Sequence, residues 1–152
     1  MKKFIDRVKQ LSKKGIDYPI GIKHHGKIGS YLHDILVENP HNKNESDMKS
    51  LELKTKYIKK QNVIGLANYS DPKNCFKQTT NKIKKGLAYL TYDTKHKKIF
   101  LKTLTIFKNF SMKDFSLYMN PYYGTKVDHK INVKDLYKVY KKTITYNLGR
   151  EV

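Results

Sequence analysis

Apolar residues recur at helical spacing near the start of the chain. The first predicted helix covers residues 2–14, and its apolar face is formed by Phe4, Ile5, Val8 and Leu11. Gly15 follows, where a helix often ends. A second helix is predicted over residues 28–37, since the apolar positions i, i+3, i+4, i+7 and i+8 are Ile28, Tyr31, Leu32, Ile35 and Leu36. Each helix therefore has one face for a core.

Alternation of apolar and polar residues predicts strands further along. From Leu51 to Ile58, one side of the strand carries Leu51, Leu53, Thr55 and Tyr57, and the other carries Glu52, Lys54 and Lys56. A strand over residues 63–68 is expected to form a hairpin with it through a turn at residues 59–62. Two further strands, at 87–92 and 99–107, are joined by a polar turn at 93–97.

The remaining segments complete the predicted architecture. A third helix extends from Asp71-Pro72 to Gly86, and short helices begin at Ser111 and Asn132, each with an aspartate three residues later. A polar loop is expected at 38–46, and an ordered but irregular loop at 120–130. The pattern predicts a single α+β (α/β/α-like) domain over residues 1–152, with a central mixed β-sheet flanked by helices.

The net charge of the chain indicates what kind of partner it binds. The chain has 152 residues, of which 32 are Lys or Arg and 13 are Asp or Glu, so its formal net charge is +19. Such a charge repels itself and favours a polyanionic partner, for which nucleic acid is the obvious candidate. An AT-rich coding genome could also enrich Lys, together with Asn, Ile and Tyr. Charge alone therefore does not separate an enzyme from a binding protein.

Other features exclude several classes of protein. No apolar run approaches the roughly 18 to 20 residues that cross a bilayer, and residues 1–15 lack the apolar centre of a signal peptide. The single cysteine, Cys75, cannot form an internal disulfide. We expect an intracellular, cytoplasmic protein with no membrane partner. Nothing resembles a Ser-His-Asp set, a phosphate-binding loop or a dinucleotide fingerprint.

One local pattern points to chemistry. Glu52 and Lys54 project to the same side of the predicted strand, and Asp47 precedes that strand nearby. Two carboxylates and a backbone carbonyl suit Mg²⁺, which takes oxygen ligands and retains water. Lys54 would then orient or help deprotonate a metal-bound water. A divalent metal, its carboxylate ligands and such a lysine are sufficient for phosphodiester hydrolysis. The alternative is a solvated strand face on which Glu and Lys simply alternate.

These residues also carry a resemblance to a known family. The segment from Gly26 to Tyr57 is similar to the active-site segment of the PD-(D/E)XK nuclease superfamily, in particular its MutH-like and MvaI/BcnI-type restriction endonuclease branch. The matching features are Gly26-Lys-Ile-Gly29 before a helix, the Asn-containing loop at 38–46, and Asp47 in register with Glu52-Leu-Lys-Thr55. The similarity covers about a fifth of the chain.

The resemblance implies a restriction-endonuclease-like core, with an active-site segment at about 26–58, that uses Mg²⁺, or Mn²⁺ in its place, to cut double-stranded DNA. It implies that Asp47 and Glu52 bind the metal with help from the Leu53 carbonyl, and that Lys54 serves the attacking water. His33 stands where the family has a helix glutamate, which makes it a candidate proton carrier or outer-shell group.

Three further positions depart from the family pattern or qualify it. Asp34 is an alternative to His33 as the substitute for the helix glutamate. Ser46 and Ser50 replace the usual Pro and Gly, which concerns the geometry of the loop more than the chemistry.

Basic and aromatic residues around the motif are candidates for contacts to nucleic acid. The candidate set is Lys23, His25, Lys27, Lys56, Tyr122, Tyr123 and Lys126. The two adjacent tyrosines could stack on bases or wedge between them, or could instead close a small core from its edge. Recognition loops are expected within residues 108–131.

The sequence as a whole predicts a small Mg²⁺-dependent DNA endonuclease. One alternative is a basic nucleic-acid-binding protein without catalysis. Another is a structure-specific or homing-type nuclease on the same fold. The sequence leaves open whether the protein is a monomer or a homodimer, and whether RNA could replace DNA.

Overall fold

The computed structural model describes residues 2–19, 25–37, 51–60, 63–69, 72–123 and 127–149. The helices are α1 (Lys2–Lys14), α2 (His25–Leu36), α3 (Pro72–Ile83), α4 (Met112–Tyr118) and α5 (Val133–Val139). The strands are β1 (Ile16–Asp17), β2 (Glu52–Tyr57), β3 (Val63–Tyr69), β4 (Leu87–Lys95), β5 (Lys98–Phe110), β6 (Asn120–Tyr123), β7 (Val127–Asn132) and β8 (Tyr140–Asn147). A short 3₁₀ helix, Ile58–Lys60, follows β2.

The larger sheet has the strand order β1-β5-β4-β2, and β8 also pairs with β5. β2 and β4 are parallel, whereas β5 is antiparallel to β1, β4 and β8. The sheet is therefore mixed, and helices flank it, which confirms the predicted α+β class. β3, β7 and β6 form a second, antiparallel sheet.

Two predicted features are wrong. β2 and β3 do not form a hairpin, since they belong to different sheets, and Lys59 and Lys60 lie in the 3₁₀ helix rather than a hairpin turn. β2 instead pairs with β4 in parallel, which requires a long crossover, and the chain between them supplies β3 and α3. The segment 120–130, expected as an irregular loop, contributes β6 and part of β7.

β4 separates two hydrophobic clusters. Ala88 and Leu90 belong to the cluster that α1 and α2 cover, whereas Leu87 and Tyr89 belong to the cluster that α5 covers. We call these two sides of the larger sheet the α2 face and the α5 face. Because β4 is buried on both faces, its sequence is a nearly continuous apolar run rather than an alternation.

The β4–β5 hairpin is longer than predicted. Both strands extend to a two-residue turn, in which His96 and Lys97 have φ angles of 53° and 59°. Two positive φ values are typical of a type I′ turn, whose twist matches that of the paired strands. The polar residues at 93–95 are therefore part of β4.

The predicted N-terminus of α4 is confirmed. The Ser111 side chain accepts a hydrogen bond from the Asp114 backbone N–H at 3.3 Å. Asn132 precedes α5 as predicted, but its side chain makes no capping hydrogen bond. Residues 108–131, expected to hold recognition loops, contain α4, β6 and most of β7 in their described part.

Candidate active site

The candidate site is built on β2, which stands at one end of the strand order of the larger sheet. The Glu52 backbone N–H donates to the Gly86 carbonyl at 3.1 Å, where β2 begins beside β4. Glu52 then lies opposite Leu87, and Lys54 opposite Tyr89. Because paired residues project to the same side of a sheet, Glu52 and Lys54 both lie on the α5 face.

Glu52 is buried and lies beside Lys54. Only 3% of Glu52 is exposed. The Lys54 Nζ lies 3.8 Å from the Glu52 Oε1, and 22% of the lysine side chain remains exposed. A carboxylate removed from water needs compensating charge or hydrogen bonds, and the lysine supplies charge from the more accessible side. The sequence alternative of a solvated strand face therefore does not describe Glu52.

Tyr140 completes the inner side of this site. It is 1% exposed, and its hydroxyl donates to the Ile83 carbonyl at 2.8 Å. Burial, and secondarily the negative charge of Glu52, raise the pKa of Tyr140 above its ordinary value. Tyr140 is therefore a neutral hydrogen-bond donor that joins the start of β8 to the end of α3.

Sequence reasoning missed Tyr140 as a site residue. The sequence predicts a short helix from Asn132 and does not single out Tyr140, which the structure places as the first residue of β8. No local signal could have joined it to Glu52, because the two are brought together by the pairing of β5 with β8 and by the packing of α3 and α5.

His33 lies on α2, on the other side of the larger sheet from Glu52 and Lys54. It is a half-buried residue of α2. α2 packs on the face that carries Leu53 and Thr55, and a methyl group at Gly29 would lie 3.0 Å from the Thr55 Oγ1. Among the described members of the predicted catalytic set, Glu52 and Lys54 thus share one face, while His33 lies on a helix that covers the opposite face.

Other predicted residues are placed as follows. Leu53 is fully buried on the α2 face. Lys27 is exposed on α2, and Lys56 is half-buried on the same side of β2 as Lys54. His25 is the first residue of α2, and Tyr122 and Tyr123 lie in β6. The remaining members lie outside the described residues: Lys23, Asp47 and Lys126.

A metal ion at this site would take Glu52 as an oxygen donor. Within the described parts of the chain, no group of three or more His, Cys, Asp or Glu side chains is placed to hold a metal ion. Mg²⁺ is commonly bound through one or two carboxylates, with water and substrate phosphate completing its shell. The donor chemistry of Glu52 fits such an ion, and the predicted second carboxylate, Asp47, lies outside the described residues.

No protein-family model and no curated protein matches the chain at a significant level. Among the described residues, no helix is long and apolar enough to cross a membrane.

Proposed function

We propose that this protein is a Mg²⁺-dependent DNA endonuclease that hydrolyses phosphodiester bonds and acts inside the cell. The observation that carries the proposal is the Glu52 carboxylate, buried beside the partly exposed Lys54 at 3.8 Å, in a chain of net charge +19. The resemblance of the surrounding segment to PD-(D/E)XK nucleases supports the same reading, and Mn²⁺ is the expected substitute metal.

The pair is difficult to explain by stability alone. Buried ion pairs often contribute little, because desolvation offsets the attraction between the charges, and apolar replacements of similar size can be as stable. A glutamate retained at 3% exposure is therefore compatible with a role beyond stability. Active sites use burial and charged neighbours to tune their ionisable groups, and Glu52 and Lys54 have this arrangement.

Each residue has a defined role in the proposed reaction. Glu52, with Asp47, binds the divalent ion, and Lys54 orients the attacking water and stabilises the negative charge that develops beside it. When bound, the metal polarises the phosphoryl oxygen and lowers the pKa of water. Tyr140 keeps the start of β8 fixed behind Glu52 through its bond to α3.

The test is cleavage of duplex DNA by the purified protein with Mg²⁺, with Mn²⁺ and with EDTA. We expect Asp47→Ala and Lys54→Ala to abolish cleavage while DNA binding in EDTA persists. The matched control is Lys98→Ala, which removes an exposed strand ion pair with Asp17 of nearly equal length, 3.9 Å. If both site variants cut DNA at the wild-type rate, the site assignment is wrong.

A basic nucleic-acid-binding protein without catalysis is the second candidate. It is favoured by the ion pair itself, in which Lys54 already offsets the charge of Glu52. That protein would bind DNA yet leave it intact with either metal. A structure-specific or homing-type nuclease would instead cut branched or nicked DNA, or a long site, in preference to a short palindrome.

A further inference from the structure

The α5 face of the larger sheet changes from apolar to polar along the strands. Its inner row contains Leu87 and Phe107, which belong to the hydrophobic cluster beneath α5. Two residues further along β2, the paired positions are Lys54, Tyr89, Thr105 and Thr145. The next row contains Lys56, Thr91 and Thr103. We call the surface formed by Thr91, Thr103, Thr105 and Thr145 the polar strip.

Two threonine pairs organise the polar strip. The hydroxyl oxygens of Thr91 and Thr103 are 2.6 Å apart, and those of Thr105 and Thr145 are 3.1 Å apart. In each pair one threonine is buried, at 1% exposure for Thr91 and 3% for Thr105, while its partner is accessible. The inner hydroxyl therefore fixes the position of the outer one.

A backbone hydrogen bond holds the inner hydroxyl of one pair in place. The Thr103 N–H donates to the Thr91 Oγ1 at 3.1 Å, and the Thr91 hydroxyl can still donate its own proton. When Thr91 donates that proton to the Thr103 hydroxyl, the proton of Thr103 is available to a ligand. An oriented hydroxyl that donates outward is suited to a phosphate oxygen.

Positive charge and an aromatic ring border the same surface. Lys54 and Lys56 lie on its β2 side, and both are partly exposed. Tyr137 of α5 is 52% exposed and contacts Phe107 edge-on, with ring centroids 5.1 Å apart. It also lies close enough to Tyr89 to contribute, after burial, to raising the pKa of Tyr89 to about 12. Tyr137 therefore stands over the α5 face beside the polar strip.

We propose that the polar strip is the surface on which the DNA backbone docks, with Thr103, Thr145 and Lys56 contacting phosphates and Tyr137 packing against a base or sugar of the same strand. The occupant follows from charge complementarity, because lysines border the strip in a chain of net charge +19. The carboxylate of Glu52, which lies on this face, is buried at the inner end. This inference rests on the proposed function, since a DNA strand bound along the polar strip would reach Lys54 at the proposed active site.

Binding to a fluorescent duplex, measured by anisotropy in EDTA, tests the inference without cleavage. Thr103→Val and Thr145→Val each remove a hydroxyl contact to a phosphate oxygen, and each should weaken DNA binding about tenfold. Loss of one phosphate contact in Lys56→Met should reduce the slope of log K against log salt by about 1. Loss of stacking in Tyr137→Leu should weaken binding by about 5- to 100-fold.

Matched variants separate docking from folding. Thr103→Ser keeps the hydroxyl and should bind like the wild type. Lys142→Met removes an exposed lysine from β8 on the opposite face, and Leu117→Ala removes an exposed apolar side chain from α4; both should bind normally. Thermal unfolding of every variant identifies any that fails to fold. Among folded variants, the DNA affinity of Thr103→Ser compared with that of Thr103→Val shows whether the hydroxyl contributes to binding.

The outcomes distinguish the two proposals. If strip variants bind DNA as tightly as the wild type and the wild type cuts DNA, the docking surface is wrong and the nuclease proposal stands. If the wild type binds through the strip and never cuts, docking is supported and catalysis is wrong. If the wild type binds no DNA, or the strip variants affect only binding to duplex RNA, the proposed DNA surface is overturned.

Discussion

Replacing Lys54 by Met would remove the positive charge beside Glu52 while keeping most of the side-chain volume. At 3.8 Å and an effective dielectric constant of ~20, the attraction between the two charges is about 4 kcal/mol. Breaking a fully buried pair typically costs roughly 3–5 kcal/mol. Because 22% of the Lys54 side chain is exposed, water weakens the attraction between the two charges. We therefore expect a smaller loss, of about 2–3 kcal/mol, in the free energy of unfolding.

The assay is urea unfolding at neutral pH, with a double-mutant cycle to isolate the pair. Glu52→Gln removes the buried charge, so adding it to Lys54→Met should restore most of the lost stability. Lys98→Met is the control, because its pair with Asp17 is 3.9 Å long but 49% and 85% exposed, and should cost less than about 1 kcal/mol. Equal losses in Lys54→Met and Lys98→Met would refute the reasoning, since burial of Glu52 would then make no difference.

Three further predictions concern other parts of the chain. Tyr140→Phe removes the donor to a carbonyl at the end of α3 and should lower the free energy of urea unfolding by about 1–2 kcal/mol; an unchanged midpoint would contradict it. The hydrogen bond from Lys141, and secondarily the one with Ser111, lower the pKa of Asp114. The ionised Asp114 therefore stabilises the fold, and this contribution is lost as pH falls through the lowered pKa. Lys141→Ala should raise the pKa of Asp114, which an NMR titration would measure. His96→Asn with Lys97→Gly suits the positive φ angles and should add about 1 kcal/mol to unfolding stability, measured by thermal denaturation against the wild type.

The helices were predictable because their signals are local. The apolar spacing of α1 matches its observed bounds, and that of α2 places Ile28, Leu32 and Leu36 in the core as expected. The periodicity could not locate the start of α2, which begins at His25, because its first residues carry no apolar repeat. The Ser111 cap of α4 was also predictable, since the capping bond joins residues three apart.

Strand pairing was not predictable in the same way. Alternation shows which residues share a face of β2, but it contains no information about which strand lies alongside. β8 was not predicted, although its residues 143–146, Thr-Ile-Thr-Tyr, are of types common in strands. In the structure only Tyr140 of β8 is buried, and the residues after it are largely exposed. The hairpin of β6 and β7 was missed because Pro and Gly near it are equally typical of an irregular loop.

The sequence by itself determined that Glu52 and Lys54 share one side of a strand, because side chains alternate along every extended backbone. Only the tertiary structure decided which side that is. A strand side that carries charged residues ordinarily faces water, yet α3, α5 and the start of β8 cover the inner end of this one and leave Glu52 only 3% exposed. The threonine rows arose in the same way, since hydroxyls far apart in the chain meet only where β4, β5 and β8 are paired. The burial of Glu52 and the register of these strands depend on long-range packing. The alternation of side chains along a single strand contains no information about such packing.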